Sequence, residues 1–311
     1  MDFANLEEFT ISSETGRAPL HFFCKHGRHC AVCKIIKEQP SSVGEADSRG
    51  RTPLHEAAAA GFESIVAELL RCGGEADRPD GRGLTALHEA AGNGHEPCVA
   101  LLLRHGASPN RGNATARLTP LHGAALGGHH ACVAALASAG GDANKLDRYG
   151  LTPLTRAAGR GCAKSVAALL AAGGDADRCN DGGWGPLHAA CRNGHGVAVR
   201  YLLAAGGDAN ATVHEDESPF AYAVRHGHRR LLPHLLRRGA RVEGADGIMR
   251  TEENGDACDY CDKICEAGGW RAHAKRHRRV LRSVAAKCAG ALLVDDVVGV
   301  VVDFLVPEGG F

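Results

Sequence analysis

Seven copies of one short motif, written most fully as Thr52-Pro53-Leu54-His55-Glu56-Ala57-Ala58, restrict this chain to a narrow set of folds. With the third residue as marker, the copies fall at Leu20, Leu54, Leu87, Leu121, Leu154, Leu187 and Phe220, in steps of 34, 33, 34, 33, 33 and 33 residues. A fixed period of that size marks a solenoid: one unit cannot bury its apolar face alone, and stacked neighbours build a continuous core. The 311 residues are therefore compatible with one elongated body rather than two ordinary globular domains.

Each copy reads as the start of a helix. The threonine is a good N-cap, the proline suits the first helical position, and the leucine begins the buried face. A glycine ends this inner helix. An apolar run such as Val66-Ala67-Glu68-Leu69-Leu70 or Val166-Ala167-Ala168-Leu169-Leu170 then makes an antiparallel outer helix. Gly-Gly stops the outer helix, and Asp142-Ala143-Asn144 or Asp175-Ala176-Asp177 opens a turn-rich finger leading to the next threonine. Aromatics at 5% and plentiful alanine and glycine suit closely stacked helices. Ala18, Gly185 and Ser218 replace the capping threonine, and Thr155 and Ala221 replace the histidine.

From about residue 17 to 242 the chain resembles the ankyrin-repeat family. The resemblance rests on the T-P-L-H-x-A signature at this period. It rests also on a glycine at constant offset in Gly94-His95, Gly128-His129, Gly194-His195 and Gly227-His228. It implies an all-α solenoid of seven helix-turn-helix units with finger loops, in which the repeated histidines serve structural hydrogen bonds. It also implies a non-enzymatic scaffold or adaptor that binds a protein partner along the concave surface of fingers and inner helices. In that register Glu56, Glu89, Arg156 and Tyr222 follow the signature histidine position, and Tyr149, Arg160, Trp184, Arg192 and Arg225 lie nearby. The groove is expected to be acidic in its N-terminal half and basic in its C-terminal half. Tyr149, Trp184 and Tyr222 are the candidate anchors, since aromatics and arginine dominate binding hot spots. No nucleophile, base and acid set stands out, nor a P-loop or dinucleotide-binding glycine motif.

The flanks differ in character. Residues 1–16 carry Phe3, Leu6 and Phe9 at three-residue spacing and read as an N-terminal cap on the first repeat. Cys24, His26, His29, Cys30 and Cys33 look like a metal cluster out of context, but in register they fall on two repeat helices, and buried thiols are expected. Residues 243–257 form an acidic linker, within a run from Glu243 to Glu266 in which only Arg250 and Lys263 are basic.

A single-zinc finger is expected over 258–279, from Cys258, Cys261 and Cys265 with His273 or His277 as fourth ligand. This segment resembles a C2H2 finger one residue short between its second cysteine and first histidine. It also resembles the second half of a MYND finger, with His277 in place of the last cysteine. The family's first half has no counterpart here, because no cysteine lies between Cys191 and Cys258, so one zinc ion at most is implied. A relic with reduced thiols is the competing reading. A helical tail follows over 280–311.

Lys plus Arg and Asp plus Glu both total 36, so net charge excludes no partner, although charge is unevenly distributed. Lys275, Arg276, Arg278 and Arg279 resemble part of a nuclear localisation signal and are candidates for phosphate contacts, which gives a nuclear nucleic-acid regulator as a second reading. A ubiquitin-ligase substrate adaptor is a third, since the final helix faintly resembles the opening of an F-box. The N-terminal residues lack a basic region and an apolar signal core, and no apolar run approaches the ~20 residues of a membrane helix. An intracellular monomer, cytoplasmic or nuclear and not membrane-bound, is expected.

Overall fold

In a computed structural model, residues 19–213 and 217–241 are described. All belong to the first of the two units into which the chain divides, Met1–Met249. The N-terminal cap expected over residues 1–16, and the linker, finger and helical tail expected from 243 onward, lie outside the described residues.

Fourteen α-helices pair into seven units among the described residues. The inner helices are α1 (Pro19–Lys25), α3 (Pro53–Ala60), α5 (Ala86–Asn93), α7 (Pro120–Gly127), α9 (Pro153–Arg160), α11 (Pro186–Arg192) and α13 (Pro219–Arg225). The outer ones are α2 (His29–Glu38), α4 (Glu63–Arg71), α6 (Glu96–Arg104), α8 (His130–Ser138), α10 (Ala163–Ala171), α12 (Gly196–Ala204) and α14 (Leu232–Arg237). Each inner helix packs on its own outer helix and on the inner helices before and after it, so the core runs through the stack.

The motif leucines are buried in every unit, with Phe220 in the last. Outer helices supply valine and leucine three apart, as Val99 and Leu102 or Val133 and Leu136, all fully buried. Between inner helices the contact residues are small: Ala57, Ala58, Ala90, Ala91, Ala124, Ala125, Ala157 and Ala158 have no exposed surface. Cys24 takes this alanine position and is buried, as expected, and Cys191 does the same in unit 6. Cys98 and Cys132 are buried on the outer helices, where desolvation pushes their thiols up to about 11, so they behave as small apolar groups. Cys30 is exposed and Cys33 only half-buried, contrary to the expectation of buried thiols, because α2 turns that face outward. No group of three or more His, Cys, Asp or Glu able to hold a metal occurs among the described residues.

The cap is more reciprocal than the sequence suggested. His55 Nδ1 accepts the Thr52 backbone N–H at 3.1 Å and faces its hydroxyl at 2.9 Å, while Nε2 lies 3.0 Å from the carbonyl of Leu84 in the next unit. A carbonyl only accepts, so Nε2 carries the proton and Nδ1 does not. The same arrangement recurs at His88 with Leu118 and at His122 with Leu151. The turn histidines point the other way: Nε2 of His95, His129, His195 and His228 reaches the carbonyls of Ala59, Gly92, Gly159 and Arg192 in the preceding unit. Thus in units 3, 4 and 6 one histidine ties the unit forward and another ties it back, while unit 2, with Phe62 at the turn, has only the forward tie. Unit 5 has neither, since Thr155 turns to Thr152 at 3.0 Å and Cys162 stands where the turn histidine would be.

The fingers repeat as well. Asp47 Oδ1 accepts from the N–H groups of Arg49 and Arg51, and Asp80, Asp147 and Asn180 do the same two and four residues ahead. The two 34-residue steps have different origins. The first lies after Gly27, where ten-residue α2 and a 3-10 turn at Pro40–Gly44 replace the usual nine-residue helix and Gly-Gly. The second lies in the finger of Asn113, whose Oδ1 accepts from Ala116 and Leu118, three and five residues ahead.

The added residue puts Arg117 at φ 54°, the one non-glycine with positive φ among the described residues. Relief of left-handed strain is worth about 1–2 kcal/mol, offset by about 0.5–1 from the freer unfolded chain. Arg117→Gly should therefore raise stability by about 0.5–1 kcal/mol, read as a higher urea midpoint at unchanged slope.

Candidate functional site

The fingers and the adjoining faces of the inner helices carry the side chains that vary from unit to unit. At the position after the signature histidine stand Phe22, Glu56, Glu89, Gly123, Arg156, Ala189 and Tyr222. Their surroundings divide the array.

In units 2 and 3 the acids share one base. Arg51 Nε lies 3.1 Å from Glu56, and its Nη1 donates to Glu89 at 2.7 Å. Glu56 is only 5% exposed, so little of it is offered to a partner. Arg51 occupies the finger position that elsewhere holds Leu84, Leu118, Leu151 or Trp184. The acidic half of the groove is therefore largely neutralised from within, which the register alone did not reveal. Removing one member of a buried pair leaves an uncompensated charge. Arg51→Ala should cost about 2 kcal/mol, and Glu56→Gln in the same background should recover part of it, measurable by denaturant unfolding.

Unit 4 offers Gly123, packed near Gly92, and no charge at this position. In units 5 to 7 the arginines lie beside aromatic rings. Arg156 Nε donates to Asp147 Oδ2 at 3.0 Å, and its Nη2 contacts the same oxygen. The Asp147 side chain is fully buried, its other oxygen held by two finger N–H groups. The Arg156 guanidinium lies 5.6 Å from the Tyr149 ring and that of Arg148 lies 5.7 Å from it. Arg192 is 5.8 Å from the Trp184 ring, and Arg225 is 5.8 Å from that of Tyr222 while pairing with Glu217. Trp184 and Tyr222 meet edge to face at 5.1 Å, from 38 residues apart in sequence. Burial and a hydrogen bond to Glu217 push the Tyr222 phenol upward. Arg160 and Arg192 are both exposed.

The structure thus brings Trp184, Arg192, Tyr222 and Arg225 into one cluster and places Arg156 with Tyr149 in the unit before. Asp147 and Glu217, which hold two of these arginines, were not singled out by sequence; their signal was acid at finger positions nine and eight residues before an arginine. The zinc ligands Cys258, Cys261, Cys265, His273 and His277, and the basic residues Lys275, Arg276, Arg278 and Arg279, lie outside the described residues. No helix among the described residues is long and apolar enough to cross a membrane.

Comparison with known proteins points the same way. The family described as ankyrin repeats (3 copies) matches residues 5–80, 54–145, 111–178 and 161–246. Among curated proteins, ankyrin repeat domain-containing protein 13B of mouse and of human is 35% identical over 63 residues, 20% of this chain. The match spans only 10% of those proteins' length. The crystal structure of the human ASB11 ankyrin repeat domain superposes with TM-score 0.65 at 25% identity, covering 72% of this chain and 99% of that one. With matches that together run over most of the chain, helix pairs at the same period and the same capped signature, the chain belongs to the ankyrin-repeat family.

Proposed function

We propose that this protein is a non-enzymatic interaction adaptor that holds a protein partner on the finger and inner-helix surface of its repeats. The carrying observation is the contrast between two sets of positions. Signature, cap and turn residues repeat almost unchanged and are spent on the stack. The position after the signature histidine changes from glutamate to glycine to arginine to tyrosine without altering the backbone. Side chains that vary on a constant scaffold suit recognition, and tyrosine, tryptophan and arginine, here the exposed Tyr149 and Arg192 with the half-buried Trp184 and Tyr222, are the types that carry binding energy.

The test is affinity purification with the full chain and two variants. One changes the groove (Tyr149→Ala, Arg192→Ala, Tyr222→Ala). The other changes the exposed outer face of α12 (Val197→Ala, Tyr201→Ala). Loss of an enriched partner in the groove variant alone is the expected result. Equal recovery with both variants would remove the groove from the function.

A further inference from the structure

We propose that units 5 to 7 bind an extended acidic segment of a protein partner, whose carboxylates pair with Arg160 and Arg192 beside the Trp184–Tyr222 pair. This rests on the groove reading above and names the chemistry of what the groove takes.

The first support is an asymmetry along the inner helices. Helices α9, α11 and α13 end in Arg160, Arg192 and Arg225, whereas α3, α5 and α7 end in Ala60, Asn93 and Gly127; α1 also ends in a cation, Lys25, but stands alone, four units before Arg160. A cation at a helix C-terminus is favoured by the carbonyl end of that helix, which would account for one such residue. Three in successive units, Arg192 and Arg225 at one repeat position and Arg160 one residue further along its helix, gather cations at the same end of the inner helices. Of the groove arginines in these units, Arg156 is held by Asp147 and Arg225 by Glu217. Arg160 and Arg192 have no carboxylate partner among the described residues. The chain as a whole is balanced at 36 acidic and 36 basic residues, so this surplus is local.

The second support is the state of the rings. Tyr149 already faces two guanidiniums, Trp184 faces Arg192 and is stacked on His188, and Tyr222 lies against Arg225 and is stacked on His226. A cationic guest would compete with these groups and be repelled by them. Bases of a single strand would need ring faces that are taken. At Arg192 a carboxylate meets a guanidinium lying against the Trp184 ring, Arg160 adds a second exposed cation in the unit before, and the apolar ring edges remain for neighbouring side chains.

Geometry sets the spacing. Neighbouring packed helices lie about 8–10 Å apart, and a chain in the extended polyproline II form advances about 3.1 Å per residue with about three residues per turn, so acidic side chains on one face should recur about every three residues.

The experiment uses fluorescence anisotropy with the full chain and three labelled probes: a peptide of about 12 residues with glutamate at every third position, its glutamine counterpart, and a single-stranded oligothymidylate of similar length. The glutamate peptide should bind at least about tenfold more tightly than the glutamine peptide, more weakly as salt rises, and lose about tenfold in Arg160→Glu/Arg192→Glu. Both arginines are exposed, so that variant should still unfold cooperatively, with only a small fall in midpoint from the acids placed at two helix C-termini. Val197→Ala/Tyr201→Ala, on the exposed outer face of α12, should leave binding unchanged.

Equal binding of the two peptides, or full binding by the arginine variant, overturns the proposal. So does an oligothymidylate that binds more tightly than the glutamate peptide and is lost in the same variant. If the peptide fails while a partner still depends on the groove in the purification above, only the acidic segment falls. If both fail, the groove reading falls with it.

Discussion

Lowering the pH from about 7 to about 5 should destabilise the repeat domain by several kcal/mol, through histidines that the fold keeps neutral. In His55, His88, His122 and His188, Nδ1 accepts the N–H of the capping residue and Nε2 donates to a carbonyl of the next unit. A second proton on Nδ1 would face that N–H. All four are buried, and desolvation lowers their pKa values, that of His88 to about 4. An unfolded histidine titrates near 6.5, so below that pH the unfolded chain binds more protons than the folded one, and stability falls as pH falls. At pH 5 the folded state still keeps His88 mostly neutral, which makes its contribution about 2 kcal/mol, with the others adding in the same direction. Carboxylates titrate lower, so the interval from pH 7 to 5 isolates the imidazoles. Urea unfolding followed by circular dichroism at each pH reads the effect. A flat profile across that interval would show that these rings are not the neutral tautomer the geometry requires. His88→Gln should flatten the slope in proportion to its share, at some cost in stability at pH 7.

Gly94→Ala should be among the more damaging single methyls in the array, costing about 3–4 kcal/mol. Gly94 closes α5 at φ 81°, and a Cβ there would lie 2.5 Å from Nδ1 of His129. Two penalties add: left-handed strain of about 1–2 kcal/mol, and displacement of a ring whose Nε2 bonds Gly92 at 3.1 Å. Gly106 supplies the control. It has φ 85° with nothing within 4 Å of an added Cβ, so Gly106→Ala should show the strain alone. If the two variants lose equal stability, the histidine contact contributes nothing. If Gly94→Ala alone also abolishes protection of amides in α7 and α8, the seam between units 3 and 4 has opened.

Much of this fold was legible because a solenoid writes its contacts once per period. Thr52, Leu54, Ala57 and Gly61 each announce their partners by recurring, and local preference and long-range packing agree at every one. The forward and backward roles of the two histidines were not legible, since spacing states that a ring recurs but not which carbonyl it meets. The groove was legible as a set of positions and much less as chemistry. Glu56 and Glu89 read as an open acidic face, yet Arg51, from a finger position usually apolar, folds over both. Tyr149, Trp184 and Tyr222 read as separate anchors, whereas the packing of unit 6 against unit 7 joins two of them. Cys30 and Cys33 read as core because Cys24 does, but they lie one helix away with a different rotation about its axis.

Unit 5, with Thr155 and Cys162 in place of its two histidines, gives the array a mechanical direction. Pulled from its ends, a stack of equal seams yields at either terminus, where a unit has one neighbour. Here the interior seams on both sides of unit 5 each carry one imidazole cross-link instead of two. A tensile load should find its fracture line there, separating units 2 to 4 from units 6 and 7 as two blocks, each doubly stitched within. Unit 5 also holds Arg156 and Arg160, so the aromatic and basic surface begins at the interior unit with the fewest histidine cross-links.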